Sequence, residues 1–582
     1  MTDYFEVHHR DGAARVGELR LSDAVRTPTL ADDLTIDAGS EWPGGREFPA
    51  GSEDEVTILP HRGFPSGTPE EVQDAFAPEY PEVEYPNGVV VSQETAADFG
   101  ADVYVLSGAQ GIVGHAEAFV ETIVDVRESI PADSALYLPG VATPANVATL
   151  VYAGVDLVDT DRAVIKGTQG KYLTGDGEVF FEDLEELPCS CPACQQPAES
   201  ADREACIEHN VNALRAELAR VRERIRSGRL RDYIEGQARH DQWLTAAFRR
   251  LDQQYAYLEQ RTPIVRGAEI TAASDDTLRR VEIQRFADRV TNRYRNRFEA
   301  PLVLVPCSAR KPYSESRSHG QFHDAIQFRG HTVSMTSPIG VVPQELELTY
   351  PAQHYDSVVT GRWSATEIEF VADVLAAYLE RNEYPRYIAH LPEDYLPIVE
   401  RVEDRLDIEF EYTVAEHPTD TESLANLAST LSGEPKYRKR ERQHNTIRAI
   451  ADYQFGEGAG EELFEDLHIE SRYPKLRAHD ADGEQLAALV PNYGTLSLTL
   501  AGARRWLDSD IPTKRAEIDA FVPRGSVLAP GIVGADDDIR PGDEVVFEGP
   551  KAISIGRAEM SGPEMVESTR GIASEVRHTE EK

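Results

Sequence analysis

Apolar positions follow two rhythms along this chain, and each places a different kind of element. Short continuous runs at Gly88–Val91, Asp102–Leu106, Ala135–Leu138 and Val155–Val158 are bounded by turn residues and predict buried strands. Helix-like segments such as Pro144–Tyr152 lie between them, so residues 1 to about 250 read as a parallel α/β layer or barrel. A second series begins with the run Leu302-Val303-Leu304-Val305. Predicted strands near 332–336, 387–390 and 409–413 then alternate with helices near 321–328 and over 365–381, the order of a doubly wound α/β domain. Around 445–505 a small α+β unit is expected, and from Ser526 the pattern turns to short strands separated by Gly/Pro turns.

The full chain of 582 residues is too long for one core, since cores rarely grow past about 250–300 residues. The expected division is 1–255 for the barrel-like region, 256–299 for an Arg-rich helical connector, 300–430 for the α/β core, 431–505 for the small α+β unit and 506–582 for the terminal β-barrel. The formal charge is -43, from 102 acidic against 59 basic residues, and only nine of the basic residues are Lys. Such a surface stays hydrated when salt screens ordinary charge effects, which suggests a salty cytoplasm. Strong negative charge ordinarily argues against nucleic acid as a partner, so local basic clusters carry more weight. Two stand out: seven Arg between Arg279 and Arg297, and the run Pro435–His444, whose Lys436, Arg438, Lys439, Arg440 and Arg442 are candidates for RNA phosphate contact. The N-terminus, MTDYFEVHHRDG, has no apolar targeting core, and no stretch of about 18 apolar residues occurs, so a cytoplasmic protein with no membrane partner is expected.

Candidate chemistry concentrates where the strand Leu302–Val305 runs into Pro306–His319, PCSARKPYSESRSH. A buried strand that opens into a loop with a thiol, an amine, a phenol, hydroxyls and an imidazole is how α/β proteins present reactive groups. Cys307, Lys311, Tyr313, Ser316 and His319 are the catalytic candidates. A thiolate is the strong nucleophile of this set, and an ammonium four positions on would stabilise it. Tyr313 and His319 are candidates for proton transfer. The turn Thr336–Gly340 opens on the same sheet edge, making Ser337 and Gly340 candidates for substrate contact together with Glu345. Glu347, His354, Tyr355 and Asp356 supply further polar groups. No GxxxxGK[ST] loop is present.

Four of the five cysteines fall within eighteen residues, which is no disulfide framework in so long a chain. Cys189, Cys191, Cys194 and His209 can close a tetrahedral Cys3His shell for structural Zn2+, leaving Cys206 as a small buried residue. The turn Gly154–Asp159 would put carboxylates at a strand's C-terminal end, with turn capping as the alternative role for Asp156 and Asp159.

Several motifs carry family resemblances. ARVGELRL with Thr27-Pro28, LYLPGVATP at Leu136–Pro144, AGVDLVDTDRAVIKGTQGKYLT at Ala153–Thr174, and CSCPAC followed by His209-Asn210 resemble the tRNA-guanine transglycosylase family. The resemblance implies a (β/α) barrel in degenerate form, zinc on the Cys3His cluster, and Asp159 at the position of the family's nucleophile. The family's Asp-Ser-Gly-Gly-Phe-Gln segment has no counterpart, Leu106–Gln110 being nearest, so binding of tRNA or a base is implied rather than base exchange. APGIVGADDDIRPGDEVVF with Ile555–Met560 resembles a PUA domain, an RNA-binding pseudo-barrel. The spacing Pro306-Cys307-x3-Lys311-Pro312-Tyr313-x2-Ser316-x2-His319 resembles the archaeosine synthase family, which joins these modules in the same order. That resemblance implies addition of an amine to the nitrile of 7-cyano-7-deazaguanine in the tRNA D-loop. Free lysine is the implied donor, with glutamine or ammonium as alternatives, and in some lineages a radical-SAM partner completes the product. A transglycosylase acting through Asp159 and a non-catalytic tRNA-binding subunit are the rival functions, and a homodimer is left open.

Overall fold

The apolar runs of the first 160 residues pair into one parallel sheet in the computed structural model, which describes residues 4–40, 48–62, 64, 67–76, 79–195, 202–357 and 362–582. Its strands in chain order are β1 (Thr29–Leu30), β2 (Thr35–Asp37), β3 (Val56–Ile58), β4 (Asn87–Val91), β5 (Val103–Leu106), β6 (Ala135–Tyr137) and β7 (Leu157–Val158). Their order across the sheet is β1-β7-β6-β5-β4-β3-β2. Laid flat, seven strands would hold the two edges about 29 Å apart. The edges β1 and β2 are joined by only the four residues Ala31–Leu34, a link that spans at most about 18 Å. The sheet therefore curls into an open half-barrel, the degenerate form expected. Val103 and Val105 of β5, Ala135 of β6 and Leu157 of β7 share one core with Phe5 and Leu19 of the N-terminal hairpin.

The chain divides into two compact units. The first comprises Met1–Pro263, Ser526–Pro541 and Glu559–Ser574, and the second Ile264–Gly525, Gly542–Ala558 and Glu575–Lys582. Within the first, helix α1 (Arg203–Arg226) starts from the side-chain cap of Asp202 and buries Leu214, Leu218, Val221 and Ile225, the predicted stripe. A buried ion pair ties the barrel strands to the N-terminal hairpin. Arg15 donates from Nε to Asp156 at 3.1 Å and from Nη2 to the Ser134 carbonyl at 2.8 Å, while Asp156 also accepts the Leu136 amide at 2.9 Å. Asp156 thus serves as a strut.

In the second unit a five-stranded sheet has β8 (Leu302–Pro306) at its centre, with β9 (His331–Thr336), β10 (Gly340–Pro343), β11 (Tyr387–Ala389) and β12 (Glu411–Tyr412) in the order β10-β9-β8-β11-β12. All pairings are parallel except β9 with β10. Both faces of β8 are covered. Val303 and Val305 pack with Phe322 and Ile326 of helix α2 (Arg317–Ile326), whereas Leu302 and Leu304 pack with Val371 and Leu375 of helix α3 (Ala365–Arg381). The small α+β unit opens with helix α4 (Lys439–Phe455), followed by a four-stranded antiparallel sheet between His468 and Leu498. In the terminal segment, Arg515–Ile518, Glu544–Glu548 and Ala552–Ala558 pair as strands within the second unit.

Two expectations are corrected. The Arg-rich segment is no connector: the helix Val281–Asn292 buries Ile283, Phe286 and Val290 in the second unit's core. Several of its arginines turn inward, while Arg279 and Arg295 stay exposed. Arg280, Arg285 and Arg289 are buried, Arg280 lies 3.3 Å from Glu282, and Arg297 pairs with Asp452 at 2.7 Å and Glu461 at 2.6 Å. In so acidic a chain, arginine is consumed by neutralising its own carboxylates. The helix after the reactive loop also begins earlier than expected, at Arg317, because the Ser316 hydroxyl caps it by accepting the His319 amide at 3.2 Å. No helix among the described residues is long and apolar enough to cross a membrane.

Removing the Arg15 guanidinium strands Asp156 as an uncompensated buried charge. The Arg15→Ala variant is expected to lose about 3–5 kcal/mol, read from the shift of the first unit's urea-unfolding midpoint.

Candidate active site and metal centre

In an open parallel sheet, ligands bind beyond the strands' C-terminal ends where the strand order reverses. Here the chain leaves β8 for β9 on one side and later returns to β11 on the other, so the crevice lies between β8 and β11. A cavity of about 660 Å³ occupies that place. Its lining draws on the residues that follow each parallel strand: Cys307 and Ser308 after β8, Ser337 after β9, Asp394 and Tyr395 after β11, and His417 and Thr419 after β12.

Cys307 is half-buried in this wall, its amide donating to the Met335 carbonyl at 3.1 Å. Its Sγ lies 3.5 Å from the Tyr395 hydroxyl, and the Tyr395 ring is held edge-on by Trp363 at 4.7 Å. Burial raises the phenol of Tyr395 far above its ordinary range, and the nearby Cys307 adds to this, so the hydroxyl keeps its proton. The Lys311 ammonium rests 3.8 Å from the centre of the Tyr355 ring, a cation–π contact. Burial lowers the Lys311 pKa, and the neighbouring Cys307, Asp356 and Glu269 oppose that shift.

Neither Lys311 nor the remaining loop candidates Tyr313, Ser316 and His319 line this cavity. Tyr313 is buried, its hydroxyl 2.7 Å from that of Tyr355, which in turn lies 2.7 Å from Thr336 Oγ1. His319 donates from Nε2 to the Pro306 carbonyl at 3.0 Å and stacks on Tyr313 at 4.9 Å. Burial lowers its pKa to about 4, so at neutral pH the imidazole is uncharged. The Ser316 hydroxyl is the helix cap. Ser337 lines the cavity and donates to Glu367 at 2.6 Å. Gly340 is structural: its φ is +97°, and a Cβ there would meet Val374 at 2.8 Å. Glu345 is brought elsewhere, fully enclosed between His331 at 2.9 Å and the Tyr294 hydroxyl at 3.1 Å.

Sequence reasoning missed Tyr395, Trp363 and Asp394. The signal was available in part, because Tyr395 follows the run Tyr387–Ala389 much as Cys307 follows Leu302–Pro306. The basic run is where it was expected, around the start of α4, with Lys436, Arg438, Lys439 and Arg440 exposed and Arg442 half-buried. Lys436 donates to Gln327 at 3.0 Å.

The first unit holds two further candidates. Asp159 sits at the end of β7, but both of its oxygens are engaged. Oδ2 accepts from Tyr137 at 2.8 Å and the Gly140 amide at 2.7 Å, and Oδ1 accepts the Asp161 amide at 3.1 Å. Burial raises its pKa. Cys189, Cys191, Cys194 and His209 place one donor atom each within 4.8 Å of one another, a set that can hold a metal ion. The Cys191–Cys194 sulfur separation is 3.6 Å, and His209 Nδ1 lies 3.3 Å from Cys194 Sγ, the edge lengths of a tetrahedral thiolate–imidazole shell. His209 donates from Nε2 to the Leu173 carbonyl at 2.8 Å, which turns Nδ1 toward the sulfurs. Cys206 is fully buried with its sulfur near the Lys171 carbonyl, outside the cluster.

Comparison with known proteins fits this division of labour. Residues 85–242 match the model for queuine tRNA-ribosyltransferase, 283–431 a domain of unknown function, 445–512 the patch-forming domain C2 of tRNA-guanine transglycosylase, and 514–579 the PUA domain. An archaeosine synthase of Haloferax volcanii is 65% identical over 100% of both chains. The chain belongs to the archaeosine synthase family. An archaeosine synthase subunit alpha of Methanosarcina acetivorans is 42% identical over 99% of each chain. A tRNA-guanine(15) transglycosylase of Methanobrevibacter smithii is 28% identical over 82% of this chain and 72% of its own. Cys307 and Tyr395 thus fall in the segment that matches a domain of unknown function, while the flanking segments match transglycosylase and PUA models.

The neutral His319 couples this loop to pH. Its folded pKa of about 4 lies below the unfolded value near 6.5, so the unfolded chain binds the proton first and stability falls as pH drops from 6.5 through 4. The full effect is about 3 kcal/mol. Urea-unfolding midpoints of the second unit are expected to fall more steeply below pH 6.5 in the wild type than in His319→Gln.

Proposed function

We propose that this chain is a tRNA-modifying enzyme of archaeosine biosynthesis that adds an amine, free lysine, to the nitrile of 7-cyano-7-deazaguanine in the tRNA D-loop. The observation that carries the reading is the thiol of Cys307 in the switch-point cavity, with a phenol 3.5 Å from its sulfur and the Lys311 ammonium on the same loop. A cavity of about 660 Å³ is ample for a nucleobase and a small amine together.

A nitrile carbon is a weak electrophile, and sulfur is the strongest nucleophile at hand. The Cys307 sulfur bonds to the nitrile carbon as one C–N π bond breaks, and the thiol proton passes to the nitrile nitrogen, giving a thioimidate. Tyr395 is positioned to relay that proton, accepting it as it hands on its own. The incoming amine then bonds to the same carbon, the C–S bond breaks, and the amine's surplus proton returns to sulfur, leaving an amidine. Nothing is oxidised or reduced, and the addition is independent of ATP. Lys311 stabilises the thiolate, its own charge costly enough in this partly buried position to favour a nearby anion. His319, Tyr313 and Ser316 position the loop, as do Ser337 and Gly340 for the facing turn.

The PUA and C2 segments would hold the tRNA, and the half-barrel, with Asp159 committed to Tyr137 and Gly140, would serve as a binding scaffold. Zn2+ on Cys189, Cys191, Cys194 and His209 would staple the turn at 189–194 to helix α1; it supplies folding energy and no chemistry. A partner subunit acting on the adduct fits the name "subunit alpha" carried by some relatives. The surface charge of -43 suits a salty cytoplasm.

Nucleosides from tRNA carrying the cyano base, incubated with pure protein and lysine, should show by mass spectrometry loss of the cyano nucleoside and a gain equal to one lysine. Cys307→Ala is expected to abolish the gain, and Lys311→Ala to slow it by about 10²–10⁴-fold. Persistence of the gain in both variants would assign the loop a purely structural role. Treatment with a strong chelator, or Cys194→Ser, should release one zinc per chain and lower the melting temperature of the first unit, whereas Cys206→Ser should keep the metal.

A further inference from the structure

Helix α2 has a second cavity on its other flank, about 490 Å³ in volume, between that helix and the start of α4. Phe322 contributes to both cavities, while Cys307 and Lys311 do not line this one. Phe322, Phe328 and Tyr473 bring aromatic rings to its wall, Tyr313 and His319 reach it from the back of the reactive loop, and Lys439 and Arg442 bring positive charge to it. Gln443, Thr446 and Ser334 supply polar groups. In a chain with a net charge of -43, such a concave basic site is unusual.

We propose that this cavity binds one extruded nucleotide of the tRNA, its base among the aromatic rings and its phosphate at Lys439 and Arg442. The inference rests on the reading of tRNA as substrate and adds an anchoring site separate from the reacting one. Flat π faces together with a guanidinium and an ammonium are the means by which proteins hold single-stranded nucleotides. The volume is in the range of small-ligand sites and suits a nucleotide. A free amino acid would need a carboxylate for its ammonium, and the cavity's one carboxylate is already committed. Glu347 is buried and accepts from the Tyr473 hydroxyl at 2.6 Å and from the Ser314 amide at 2.8 Å. The nearest acid on α4, Glu441, is exposed and accepts the Arg438 amide. His323 is held toward its neutral form by burial and by Arg442, and so adds no charge. The cations continue outward along the exposed Arg438 and Arg440, a track for the flanking phosphates.

The test measures binding of an unmodified tRNA transcript by fluorescence anisotropy across a salt series, with no amine donor present. Lys439→Gln with Arg442→Gln should lower affinity and reduce the slope of log K against log salt by about 0.7, from one phosphate no longer neutralised. Phe328→Leu, which keeps the apolar volume but removes the π face, should weaken binding about tenfold with the slope unchanged. Affinity and slope that stay at wild-type values in these variants would overturn the proposal. So would calorimetric binding of free lysine that disappears in the double variant, which would make the cavity a donor site. Because no chemistry is read, failure of the wild-type chain to modify the cyano base would refute the proposed reaction and leave this result standing.

Discussion

A polar loop that leaves a fully buried strand must find partners for those of its donors and acceptors that stay buried, and the candidate site is built on that requirement. Strand β8 is covered on both faces, and the loop that follows it buries Tyr313, Ser316 and His319 while Arg310, Ser314, Glu315 and Arg317 stay exposed. His319 satisfies the Pro306 carbonyl, Tyr313 shares a hydrogen-bonded row with Tyr355 and Thr336, and the Ser314 amide is met by Glu347. Ser316 is spent on the helix start. With those groups committed, the thiol of Cys307 faces the Tyr395 hydroxyl and the ammonium of Lys311 rests on the Tyr355 ring.

The half-barrel of the first unit shows the opposite outcome from a similar position. Asp159 stands at the C-terminal end of a parallel strand, where a nucleophile would be expected, yet three donors saturate its carboxylate. Asp156, three residues earlier, is clamped by Arg15. A carboxylate with its lone pairs engaged and its charge desolvated is a poor nucleophile and a good strut. The Cys3His cluster likewise fastens chain to chain, with His209 turned by the Leu173 carbonyl toward the sulfurs.

Electrostatics divides the arginines by location. Some of those between Arg279 and Arg297 are drawn inward by acids of the same unit, as with Arg280 beside Glu282 and Arg297 between Asp452 and Glu461. Those at the start of α4 remain outside, where the helix's first turn and the surrounding solvent leave them free to meet an anion. Both segments are rich in positive charge; burial separates much of the first from the second.

Much of this was legible in the sequence. The run Leu302–Val305 announced a doubly covered strand because period-two burial on both faces leaves no room for polar residues. The cysteine spacing announced the donor set that the fold gathers because tetrahedral ligation fixes how far apart four donors can lie. The order of modules followed from local motifs for the same reason, that each depends on residues close in sequence. Tertiary structure alone decided the rest. Tyr395 reaches Cys307 across 88 positions of chain, and nothing local marks a phenol as the neighbour of a distant thiol. Whether Glu345 faced a substrate or His331, and whether Arg285 met phosphate or core, depended on which face of an element was buried, and that is set by what packs against it. Sequence determines which groups are present and how each segment turns; only the packed fold determines which of them remain unspent.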